Sequence, residues 1–278
     1  MPNDEVVQRG ILGLNLTSQG DISSLAPRMR ILEDIFLVGS GQIGLSHKKD
    51  CHIYLVRCGT EHVLIDAGLG LGTEEILANV RYDGLDPRKI STLLVSHSHA
   101  DHAGGCHALK SEVGCKVFAP EAESQLIENG SEEDLGLDVT KRAGGYPATY
   151  VFAHCAVDKV LKDRELVHVG RCEFETIQVP GHSPGTACFL LRRDGQTVLF
   201  SSDVVFVGGT IGLGNWKGSS LTQYRQNIRK LEGLRVDALL PGHWIWTIRD
   251  GQEHLDKAIE NLGLPYMPPN FQHQHPAY

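Results

Sequence analysis

"SHSHADHAGG", residues 96–105, brings His97, His99, Asp101 and His102 together within six positions, with Gly104 and Gly105 directly behind them. The preceding run, "STLLVS", is short and apolar and reads as a strand. His97 and His99, two apart in extended chain, point to one side. The chain then turns into a helix from about Ala100, with Asp101 and His102 in its first turn. One strand end thus delivers four donors to one spot. The two glycines let the backbone lie close to whatever occupies it. Neutral imidazole and carboxylate are the natural ligand set for zinc and similar divalent metals.

A metal site needs donors from more than one stretch, and three further strand ends supply them. "ETIQVPGHSPG" carries His182 in a Pro-Gly turn, "TVLFSSDVVF" carries Asp203, and "ALLPGHW" carries His243 in a second Pro-Gly-His turn. Each follows an apolar β run. The other histidines lack this context and read as surface or hydrogen-bonded residues. Four such stretches in order make structural coincidence a poor explanation.

The chain has 278 residues, enough for one large domain with a sizeable core. Its net charge of −8 disfavours a nucleic-acid groove, which needs a basic surface. Seven cysteines, an odd number without a CxxC pair, read as free and mostly buried thiols of a reducing compartment. The N-terminus has no basic start followed by an apolar stretch, and no apolar run reaches membrane-spanning length. A cytoplasmic protein is expected. Its expected partner is a small-molecule substrate, with no nucleic acid and no membrane; a homo-oligomer is compatible.

Residues 1–278 read as a single domain, with 1–30 as an irregular extension. "DIFLVGS" reads as a strand, "CHIYLVRCGTEHVLIDAG" as a hairpin about Gly59-Thr60, and "TEEILANVR" as a helix capped by Thr73. "CKVFAP" is a strand and "EAESQLIEN" a helix. Residues 130–157 are the least regular part, either a lid or a tolerated insertion. Strands return at "ELVHVG", "CEFETIQVP", "TACFLLRR", "TVLFSS" and "VDALLPG", with helices over about 219–232 and through "GQEHLDKAIENL". Strands then helices, given twice, suggest two sheets face to face with helices outside.

With these stretches the sequence resembles the metallo-β-lactamase superfamily. His97-Ser98-His99-Ala100-Asp101-His102 matches its HxHxDH motif, and His182, Asp203 and His243 match its later single ligands. Asp66, in "LIDAGLG", matches an Asp-x-Gly turn. The resemblance, over about residues 33–250, implies an α+β fold, a four-layer αββα sandwich with the metals at one sheet edge. It implies two divalent metal ions per chain, Zn2+ first and Fe or Mn as options. His97, His99 and His182 would hold one, Asp101, His102 and His243 the other. Asp203 would bridge them, and Asp66 would orient a ligand histidine.

The resemblance further implies a hydrolase in which a metal-bound hydroxide cleaves an ester, thioester or lactone, with Asp101 also passing a proton to the leaving group. The carboxylate at Asp203 and the stretch "LFSSDVVFVGGTIG" are similar to the glyoxalase II and lactonase branches and disfavour a β-lactam hydrolase. Three departures stand out: Ser202 where glycine precedes the aspartate, Phe206 where lactonases place a tyrosine, and no room after His243 for a glutathione-binding helical domain. An alternative of the same fold is a persulfide dioxygenase-like oxidoreductase with one iron on His97, His182 and Asp203. Candidate substrate-binding residues are Phe206, Trp216 and Trp244, together with 135–155 and the tail "LPYMPPNFQHQHPAY".

Overall fold

Hydrophobic alternation along the strands builds the architecture. In the computed structural model, which describes residues 29–271, β1 (Arg30–Leu32), β2 (Ile35–Gly39), β3 (Ile53–Arg57), β4 (His62–Ile65), β5 (Ile90–Leu94), β6 (Lys116–Pro120) and β7 (Lys159–Leu161) form one sheet in that order. Strands β1 to β4 pair antiparallel and β4 to β7 parallel. The second sheet has the order β14-β11-β10-β9-β8, from β8 (Leu166–Val169), β9 (Cys172–Gln178), β10 (Ala187–Arg193), β11 (Gln196–Ser202) and β14 (Ala238–Pro241). A small ribbon pairs β12 (Val205–Phe206) with β13 (Thr210–Ile211).

Successive side chains of these strands go to opposite faces. Tyr54, Val56, Phe189, Leu191, Val198 and Phe200 meet in the core between the sheets. Their neighbours Ile53 and Leu55 face outward onto α1 (Thr73–Tyr82), α3 (Cys106–Val113) and α4 (Glu121–Asn129). Cys188, Leu190 and Leu199 face α6 (Leu221–Asn227) and α7 (Gly251–Gly263) on the far side. Three cores between four layers make this the αββα sandwich that the resemblance implied. All seven cysteines are free and buried among them. No helix among the described residues is long and apolar enough to cross a membrane.

Two local expectations are corrected. Thr73 is not the cap of α1: Gly72 takes that position without a side-chain bond, and the Thr73 hydroxyl is buried inside the first turn without a partner. Residues 130–157 are less irregular than they read, since α5 (Leu137–Arg142) lies within them. Of the extension over 1–30 only Met29 and Arg30 are described, and of the tail 264–278 only the part up to Phe271.

The strand ends of both sheets reach the same edge, where β5, β11 and β14 finish. His52 anchors this edge. Its Nδ1 meets Ser40 Oγ at 2.9 Å and its Nε2 meets the Trp244 carbonyl at 2.7 Å. Burial holds its pKa down to about 4. An unfolded histidine takes a proton near 6.5 while this one stays neutral, so stability is lost as pH falls from about 6.5 towards 4. His52→Gln is expected to remove that loss. Between pH 7 and 5, urea melts of wild type should show about 2 kcal/mol more destabilisation than the variant. Equal slopes would show that His52 is protonated in the fold.

Candidate metal centre

His97 and His99 lie beyond the end of β5 at Leu94, in the turn before the short helix α2 (Ala100–Ala103). Gly181 and Pro184 flank the turn that carries His182, and Gly181 (φ 151°) packs under the Tyr224 ring, where a β-carbon would collide. Asp203 directly follows β11, and His243 follows β14. The side chains converge in two groups. In the first, His182 Nε2 stands 3.1 Å from His97 Nε2 and 2.9 Å from His99 Nδ1, and His97 Nε2 stands 3.0 Å from His99 Nδ1. In the second, His243 Nε2 lies 3.2 Å from His102 Nε2 and 3.1 Å from Asp101 Oδ2.

Asp203 lies between the groups. Its Oδ1 is 3.4 Å from His102 Nε2, and its Oδ2 is 3.5 Å from both His182 Nε2 and His243 Nε2. Oδ1 is buried and has no hydrogen-bond partner.

The far side of each ring decides what the near side offers. His182 Nδ1 meets the Gly212 carbonyl at 2.6 Å, so it carries the proton and Nε2 presents a lone pair. His102 Nδ1 meets Asp66 Oδ2 at 2.8 Å and is set likewise. Asp66 Oδ2 also accepts from Ser96 Oγ at 2.8 Å, and that oxygen faces His97 Nδ1 at 3.0 Å. His97 and His182 therefore aim lone pairs at each other. Such a contact is repulsive without a cation or a proton between them.

The electrostatics agree. Burial, then the other histidines, keep the pKa of His97 well below its ordinary value. Burial and His182 take His99 down to about 3. Burial opposes ionisation of Asp203, yet His243 and His102 outweigh it and hold the carboxyl well below the carboxylate range. His102 moves the other way: burial opposes its proton, but Cys51 with Asp203, Asp101 and Asp66 outweigh it. Without a metal, the second group binds a proton where a cation would stand. The uncharged imidazoles of the first group, the ionised carboxylates and an orphan oxygen are what a divalent metal requires of its ligands, and the proton on the second group is what it would displace. The residues fit the group.

Backbone strain collects here. Asp66, Ser202 and Trp244 take φ of 63°, 48° and 70°. Ser202 thus holds a conformation that favours glycine. Its hydroxyl, donating to Ser96 Oγ at 2.7 Å, helps to offset that cost and accounts for the serine before the aspartate.

A cavity of about 80 Å³ lies over both groups, lined among others by His99, Asp101, Tyr146, Trp216, His243 and Phe271. Leu135, Gly136, Thr140 and Gly145 complete its cover, so the segment within 130–157 lies over the site. Gly136 packs close: a β-carbon there would sit 3.7 Å from His99 Nε2 and 3.2 Å from Trp216 Cβ. Trp216 lines the cavity, with Nε1 donating to the His182 carbonyl at 2.9 Å and its ring edge-on to His99. Phe206 does not reach the cavity. It is fully buried and stacks under Phe271, which lines the wall in its place. Trp244 does not line it either: its left-handed backbone turns it aside, with its N–H on Gln42 Oε1 and its ring 6.5 Å from Phe271.

The sequence reading singled out neither Tyr146, within the candidate segment 135–155, nor Glu123. Tyr146 donates its hydroxyl to Asp101 Oδ1 at 2.6 Å. Glu123 is completely buried behind the histidine turns. "GGYPATY" and "PEAES" carry no metal-type spacing, and only the tertiary fold brings them here.

Comparison with known proteins places the chain. The model of the Metallo-beta-lactamase superfamily matches residues 48–243, well over half of the 278. An atrochrysone carboxyl ACP thioesterase of Aspergillus fumigatus is 26% identical over 86% of this chain, and the match spans 63% of its own length. An acyl-coenzyme A thioesterase, MBLAC2, of Gallus gallus is 30% identical over 69% of this chain and 72% of its own length. Among solved structures, a metallo-beta-lactamase with a HARLDQ motif from Cronobacter sakazakii is 26% identical, with a TM-score of 0.62 over 77% of each chain. The motif, the four layers and these matches agree: the chain belongs to the metallo-beta-lactamase superfamily, a superfamily of metal-dependent hydrolases.

Proposed function

We propose that the chain is a dinuclear metal hydrolase of thioesters, with an acyl group on a pantetheine-type thiol as its substrate class. The observation that carries this is Asp203, set between two ligand groups with one buried oxygen unpartnered. The named activity of the two sequence relatives supports the thioester. His97, His99 and His182 would hold one ion, Asp101, His102 and His243 the other, and Asp203 both. Zinc suits this nitrogen-rich set best. When bound, the two ions supply a nucleophile from water at neutral pH and Lewis acidity for the substrate carbonyl.

The chain's own residues do the rest. Hydrolysis adds water across the C–S bond, giving an acid and a thiol, so one proton must reach the sulfur. Asp101 Oδ2 faces the site beside His243 and is placed to relay it. Tyr146 fixes which oxygen does so by holding Oδ1. The cavity is far smaller than the few hundred Å³ usual for a ligand site. An acyl chain must therefore displace the cover about Leu135, Gly136 and Thr140, while Tyr146 stays on Asp101. Trp216 and Phe271 then form the apolar walls.

The test is a panel of acyl thioesters, aryl esters, lactones and a cephalosporin, run on protein of measured metal content. Thioester turnover should lead by kcat/KM. A cephalosporin turned over far faster than any thioester would overturn the substrate class, and one iron per active chain the dinuclear reading. Tyr146→Phe is expected to keep both metals and lower thioester kcat/KM by about tenfold, the worth of one hydrogen bond to a charged group. An unchanged kcat/KM would reduce Tyr146 to packing.

A further inference from the structure

Glu123 is a buried carboxylate that belongs to neither ligand group, and every bond it makes goes to a turn carrying a ligand. It sits in the first turn of α4, which favours negative charge there. Oε2 accepts from the Ser98 N–H at 2.9 Å and the Ser98 hydroxyl at 2.6 Å. Oε1 accepts from the Ser183 hydroxyl and the Gly185 N–H, both at 2.6 Å. Ser98 lies between His97 and His99, and Ser183 follows His182. All four partners donate, the pattern that only a carboxylate satisfies.

We propose that Glu123 is a positioning residue that locks the His97-Ser98-His99 turn to the His182 turn, and so sets the metal affinity of the three-histidine group. It touches no ligand atom. Without it, the two turns from different sheets would meet through the imidazoles and the one backbone bond from the Ala187 N–H to the Ser96 carbonyl at 3.0 Å. The second group has a different support, with Asp66 behind His102 and Tyr146 on Asp101. The lock should therefore act on one group and spare the other.

This rests on the two-group metal reading, and the test separates the two. Metal-free protein is titrated with Zn2+ against a chromophoric chelator, while the imidazole NMR signals show which histidines respond. Wild type should bind in two steps; no binding would sink the metal reading itself. Glu123→Gln places an amide N–H₂ against two of the four donors, a backbone N–H among them whichever way the amide turns. It should weaken the step reported by His99 and His182 by about 10- to 100-fold, the usual cost of losing a partner that orients ligands. The step reported by His102 and His243 should shift less than threefold. Should this variant not fold, Ser98→Ala with Ser183→Ala removes only two hydroxyls, and the same step should weaken by about tenfold. Folded variants with both steps unchanged, or both weakened equally, would overturn the lock.

Discussion

Asp203→Ala is expected to lower kcat/KM for a thioester by roughly a thousandfold or more, because under the proposed dinuclear reading it would remove a ligand from both groups at once. Among the described residues, no other side chain faces His102 with one carboxylate oxygen and both His182 and His243 with the other. The loss should appear in binding before it appears in rate. A metal that binds only the folded state adds about 2.7 kcal/mol per site at a hundredfold excess over its dissociation constant. In the variant most of that gain should vanish, while the metal-free proteins differ little. Elemental analysis and melts with and without Zn2+ check both halves. A fully active, metal-replete Asp203→Ala protein would show that the aspartate does not join the groups.

The legible parts of this chain are those in which local chemistry coincides with local geometry. "SHSHADH" contains its ligands, its turn and its helix start within one stretch, and alternation in "HIYLVR" and "TACFLLRR" assigns each side chain to a core. Thr73 misled because a threonine at a helix start reads as a cap, whereas tertiary packing buried it one position inside. Phe206 and Trp244 misled for a related reason. Nearness in sequence to Asp203 and His243 is not nearness to the cavity when a left-handed residue or a buried ribbon turns the side chain away. Tyr146 and Phe271 lie in segments that the sequence offered as substrate walls, but nothing local singled them out, and Glu123 was illegible, because each reaches the centre across a long loop of chain and matches no local spacing.

Asp66→Asn is expected to weaken metal binding by about 10- to 100-fold with little loss of stability in the metal-free protein. Asp66 is 2% exposed and holds φ at 63°, a conformation asparagine tolerates, so the backbone need not move. Its Oδ1 accepts from the Ser96 N–H and its Oδ2 from His102 Nδ1, both at 2.8 Å. An amide has one acceptor oxygen for these two. With the oxygen on Ser96 N–H, the new N–H₂ faces His102 Nδ1, which must give up its proton and accept. His102 then keeps its remaining proton on Nε2, the nitrogen that should meet the metal. With the amide reversed, two donors collide at Ser96, whose hydroxyl also supports His97. The first arrangement satisfies more bonds in the metal-free protein, so that state folds well and binds poorly. The 15N shifts of His102 should report the switched tautomer, and Zn2+ titration the lost affinity. Wild-type affinity with an unswitched His102 would show that the carboxylate packs beside the ring without orienting it.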